Sequence, residues 1–122
     1  MAKFASNDVL DAALAVVAGA NRMLLLAGQP ASYTAAQAGA LAEIAMTPAD
    51  FSLAGGNGGA RQLTVAARAG LVAQAAGTAD HVALVDQVGQ RLIYVTTCPA
   101  QPLAAGNSVA VASWQVSIGA PL

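Results

Sequence analysis

The sequence predicts a mainly β domain with one N-terminal helix, built as an antiparallel β-sandwich or small open barrel. Three observations predict it. Apolar residues recur with a helical period only before Asn21, and alternate with a period of two in most later apolar segments. Glycine and proline punctuate the later segments at short intervals, which limits them to strand length. The count comes to about six or seven short strands, a pattern that suits two packed sheets or a curled one.

The helix is expected at about residues 7–18. Ser6 or Asn7 can cap it, and Asp8 and Asp11 fall in or beside its first turn, where the helix dipole favours negative charge. Leu10, Ala13, Leu14 and Val17 form one apolar stripe, and Gly19 and Asn21 are suitable stop residues. The same segment superficially resembles a leader peptide. Asp8 and Asp11 interrupt its apolar run, so a folded helix is expected instead.

Arg22 to Ala27 reads as a buried strand closed by Gly28-Gln29-Pro30. Residues 31–40 are expected to be a loop with a helical turn. A strand is expected over Leu41 to Met46, a turn at Thr47 to Asp50, and inward-facing Phe51 and Leu53 after it. Ala54 to Ala60, AGGNGGA, reads as a flexible glycine loop.

In RQLTVAAR the alternation is strict. Leu63, Val65 and Ala67 share one face, while Gln62, Thr64 and Arg68 share the other. Leu71 to Ala76 reads as a weak strand. His81 to Val85 and Arg91 to Thr97 are strands joined by a hairpin loop over residues 86–90. Pro99 and Pro102 are expected to mark a loop, and Gly106-Asn107 a turn. The last strand, Val109 to Ile118, would set Ala110, Ala112, Trp114, Val116 and Ile118 on one face. The centre of the core is expected in strands 81–85, 91–97 and 109–118, with Val82, Leu84, Leu92 or Ile93, Tyr94, Trp114 and Val116 largely buried.

With 122 residues, the chain has the length of one domain. It divides into an arm and helix at 1–20 and a β region at 21–122. Apolar residues make up 57% and charged residues 9%, well below the ~25% typical of soluble domains. Few charges remain to solvate a free monomer: the chain is either a compact alanine-rich domain from a GC-rich genome or, as the favoured expectation, one whose surface is partly covered by other subunits. The five bases, Lys3, Arg22, Arg61, Arg68 and Arg91, are scattered and form no row for phosphates; neither nucleic acid nor membrane is an expected partner.

No catalytic, cofactor or metal site is expected. The only histidine, His81, begins an apolar strand, and the single cysteine, Cys98, reads as a small buried residue. The carboxylates are spread along the chain. Asp80 and Asp86 bracket the His81 strand and stand roughly 20 Å apart at about 3.3 Å per residue. The glycines of LAGGNGGARQ lack the lysine and following helix of a phosphate loop.

Four stretches carry a resemblance: MAKFASNDVLDAAL, DFSLAGGNGGARQLTVAARAG, GTADHVALVDQVGQRLIYVTTC and LAAGNSVAVASWQVSI. Together they resemble a group of small structural proteins of tailed bacteriophages and prophages. The resemblance spans nearly the whole chain, least over 31–45. It implies a virion component made in the host cytoplasm. It brings no catalytic residues. The expected role is a capsid decoration (cement) protein bound to the major capsid protein, with a tail, head–tail connector or fibre subunit as the alternative. A homo-oligomer is expected, with Phe4, Gly55, Gly56, Asn57, Gly58 and Gly59 at the partner interface.

Overall fold

Ser6 caps the first helix, as its side chain allows: its backbone is extended and its Oγ accepts from the Val9 amide at 3.4 Å. In the computed structural model, which describes residues 6–55 and 60–118, that helix is α1 (Asn7–Ala18). Leu10 and Leu14 are buried along one stripe, and Leu14 packs with Leu63 and Val116. Gly19 ends the helix, its amide donating to the carbonyls of Ala15 and Val16.

The remaining elements are β1 (Arg22–Leu26), α2 (Tyr33–Gly39), β2 (Ala40–Ala45), a 3-10 turn (Pro48–Asp50), β3 (Phe51–Gly55), β4 (Arg61–Val65) and β5 (Arg68–Val72). Then follow β6 (Gly77–Asp86), β7 (Arg91–Leu103), β8 (Ser108–Val111) and β9 (Trp114–Ile118). All pairings are antiparallel. The sheets run β2-β1-β6-β7, β3-β4-β9 and β5-β8. They surround a common core without closing into a barrel, so the expected fold class holds.

The uninterrupted apolar run of β1 follows from burial on both faces. Met23 and Leu25 face the main core with Val82 and Leu84. Leu24 and Leu26 face the other way, with Ala83, Val85 and Ala36 of α2. Residues 33–39 are thus a helix, where the sequence suggested a loop with a helical turn. Ser32 caps it, accepting from Ala35 at 3.1 Å.

The core centre also departs from expectation. Val82, Leu84 and Val116 are buried as expected, but β1 and β6 are the central strands. Leu92, Ile93, Tyr94 and Trp114 are only half-buried, because β7 and β9 lie at sheet edges. Edge position also explains why β7 runs through Pro99 and Pro102, where a loop was expected: an edge strand has a side that needs no donor. The ladder is irregular there. Ala79 pairs with Gln101 and His81 with Thr97, so two steps on β6 match four on β7.

Two strands that read as continuous are broken at matching positions. The alternation over 61–68 stops after Val65, and Ala67 is exposed rather than inward; the expected strand 109–118 splits into β8 and β9. Val65 pairs with Trp114 and Arg68 with Val111, which is the same register carried across the gap. One two-stranded ribbon therefore turns a corner at 66–67 and 112–113. Inward positions change parity there. Val109 is buried in β8 while Ala110 and Ala112 are exposed, and Val116 is buried in β9. Gly70, with φ +84°, sits where the β5 register shifts again, a conformation open to glycine and costly to other residues. β5, expected at 71–76, starts earlier, and its end reaches β2 through an Ala42–Ala73 bridge and a Gln74 amide bond to the Leu41 carbonyl at 2.7 Å.

Candidate functional site

The charged side chains are largely used within the chain. Arg22 meets Glu43 at 2.8 Å across the β1–β2 ladder. Arg61 at the start of β4 reaches Asp11 of α1 at 2.7 Å and fixes the helix on its sheet. Arg68 binds Asp50 at 2.9 Å and the Ala45 carbonyl at 3.0 Å, tying the corner to the 3-10 turn. Arg91 stands 3.7 Å from Asp86 in the β6–β7 hairpin. Every arginine among the described residues thus faces a carboxylate of its own chain. Large aliphatic side chains remain outside: Val9 on α1 is 61% exposed, Val16 52%, Val72 56% and Val88 89%.

Of the interface residues read from the sequence, Phe4 and Gly56, Asn57, Gly58 and Gly59 lie outside the described residues. Gly55 is described. It ends β3 rather than belonging to a loop, so the expected loop 54–60 begins too early by Ala54 and Gly55. Leu53, expected to face inward, is 41% exposed. It pairs with buried Leu63 and so shares its side of the sheet, but β3 is an edge, and among the described residues no strand pairs with its outer flank. The open β3 edge was missed in the sequence. Its signal is present: FSLAG carries neither charge nor proline.

His81 lies in the middle of β6, between Leu26 and Thr97, rather than beginning the strand. Its Nδ1 is 2.7 Å from Oδ1 of Asp80, which also accepts the Gly28 amide at 2.7 Å. The Gly28 bond and then the His81 contact hold the Asp80 carboxyl below the usual carboxylate range. This pins the turn after β1 onto β6. At the other end of β6, Asp86 Oδ1 accepts from Asn21 and from the Val88 and Gly89 amides, forming the hairpin turn. The two carboxylates thus serve separate turns, in keeping with their expected separation.

Two adjoining hollows of about 220 and 280 Å3 lie between β7 and the β8–β9 ribbon. They share Val82, Cys98, Pro99, Val111 and Ala112 as walls. Cys98 is half-buried, and burial, with a smaller push from the Asp80 charge, raises its thiol above the ordinary range. Such a thiol is mostly protonated and a weak nucleophile near neutrality. Among the described residues no group of three or more His, Cys, Asp and Glu side chains could hold a metal ion, and no helix is long and apolar enough to cross a membrane.

What this arrangement offers is surface: neutral, rich in small apolar residues, and bounded by strand edges. The chain matches no family model, no curated protein and no solved structure.

Proposed function

We propose that this chain is a structural subunit of a tailed-bacteriophage particle, most simply a capsid decoration protein that binds the outside of the major capsid shell and stabilises it. It would act as a homo-oligomer, be made in the host cytoplasm and work in the virion, without catalysis or cofactor. The observation that carries the reading is the pairing of each arginine among the described residues within the chain, beside exposed aliphatic side chains. Free monomers keep charges for solvation. Surfaces that meet other subunits are depleted of them. The likeness of the four long stretches to small phage proteins supplies the setting. A tail or connector subunit is the second reading, favoured by open strand edges, which suit closed rings.

The test is reconstitution. Particles lacking the protein are mixed with the purified chain, then heated or shifted to low salt. Binding that protects heads supports decoration. Failure to bind heads, with heads equally robust in its absence, contradicts it.

A further inference from the structure

The edges of the sheets are not equivalent. β2 is met by the end of β5, β7 carries Pro99 and Pro102, and β8 and β9 face β7 across the hollows. Among the described residues β3 has none of these protections. Four of its five residues are exposed, and it has no proline and no charge. Natural proteins guard free edges with such features, because an open edge is a template for another strand.

The hydrogen-bond phase of β3 is fixed by one contact. The Ala66 amide donates to the Asp50 carbonyl at 2.8 Å, which sets Asp50–Ala66, Ser52–Thr64 and Ala54–Gln62 as the bonded pairs. Leu53 and Gly55 therefore turn both backbone groups outward. Phe51 turns its carbonyl outward, while its amide is used by Pro48.

We infer that β3 pairs antiparallel with β3 of a second copy about a two-fold axis at Leu53. Leu53 then faces Leu53 of the partner subunit and exchanges two backbone bonds with it. Each Gly55 amide donates to the Phe51 carbonyl opposite, adding two more. The two Leu53 side chains, each 41% exposed alone, cover one another on the α1 side of a sheet that now crosses both copies. Among the described residues no unpaired charge is desolvated, because Asp50, just before β3, and Arg61, opposite its end on β4, are held by Arg68 and Asp11. A two-fold contact is self-complementary and closes without extending. The strands are about 17 Å long. Their contact covers less than the roughly 800 Å2 per partner of a stable interface, so the dimer dissociates at micromolar concentration in solution. This deepens the assembly reading and rests on it only in treating the chain as an oligomer.

Sedimentation velocity on the full chain over about 5 to 200 µM tests it, a range chosen around the expected micromolar dissociation. The wild type should pass from monomer to dimer. L53K should raise the dissociation constant at least about tenfold with the fold unchanged by circular dichroism, since its side chain only meets the edge. In a C98S background, L53C should form a disulfide-linked dimer on mild oxidation, because directly opposed bonded residues lie about 5.5 Å apart, within disulfide reach. S52C, displaced from the axis, should link far more slowly. A monomer throughout the range, a dimer unaffected by L53K, or S52C linking as fast as L53C would each overturn the pairing. If the pairing fails while the chain still binds particles, the proposed function stands and only the interface is wrong.

Discussion

Leu84→Ala removes three carbons from the middle of β6, where Leu84 is fully buried, paired with Met23 on β1 and Tyr94 on β7. It belongs to the main core with Leu25 of β1, Val65 of β4 and Val82 of its own strand. Those strands are held by their ladders, so the site cannot collapse around the gap. The loss combines the transfer free energy of the deleted carbons with the cavity left behind, about 3–4 kcal/mol for a rigid site. For a chain of 122 residues that corresponds to a fall in Tm of roughly 12–16 °C, at about 4 °C per kcal/mol. Urea unfolding followed by tryptophan fluorescence measures it, with Val88→Ala as control. Val88 is 89% exposed, and its truncation should stay within about 0.5 kcal/mol. A Leu84→Ala loss below about 1 kcal/mol, at unchanged slope in urea, would refute the placement of the core between β1 and β6.

Further outcomes follow from individual contacts. The Nε1 of Trp114 is buried with no partner among the described residues, while the ring stacks on Tyr94 at 6.0 Å. Trp114→Phe should therefore cost less than about 1 kcal/mol, since removing an unsatisfied donor offsets lost area; a thermal melt showing a loss above about 3 kcal/mol contradicts this. Gly70→Ala should destabilise by about 1–2 kcal/mol from its positive φ alone, because nothing lies within 4 Å of the added carbon; unchanged stability in urea would mean that the bulge is misassigned. The lowered pKa of Asp80 makes its contribution fully present above its unfolded value of about 4, and lost as pH falls through the folded value. Asp80→Asn should accordingly flatten the acid side of the stability profile as pH falls from about 5, and identical wild-type and variant slopes would contradict the Gly28 contact.

The local features were legible in the sequence and the non-local ones were not. α1 is specified by a capping Ser6, early acids and a stripe from Leu10 to Val17, all within one helix. The β6–β7 hairpin is likewise local, with Asp86 binding amides two and three residues ahead. The corner at 112–113 was hidden because Ala110 and Ala112 continue the alternation of Trp114 and Val116 while facing outward. Alanine is small enough for either side, so the pattern held no signal of the break. Pro99 and Pro102 misled for another reason. Proline's cost depends on whether a neighbouring strand needs its donor, and edge position is a property of the assembled sheet. The helix at Tyr33–Gly39 ends in glycine and is only 7 residues long, so its stability comes from packing Ala36 beneath Leu24 and Leu26. Of the candidate site, the scarcity of charge was visible. That each described arginine would be matched by a carboxylate, as Arg61 is by Asp11 fifty positions away, required the fold.

Quantitative mass spectrometry of purified particles from a phage encoding this chain tests the central claim most directly. The copy number is compared with that of the major capsid protein in the same preparation. The decoration reading predicts a number of the same order as the capsid subunit, in the hundreds, whereas a tail or connector ring predicts about 3 to 12 copies, set by closed symmetry. Absence from the particles, with the protein abundant in infected cells, would contradict a structural role in the virion altogether.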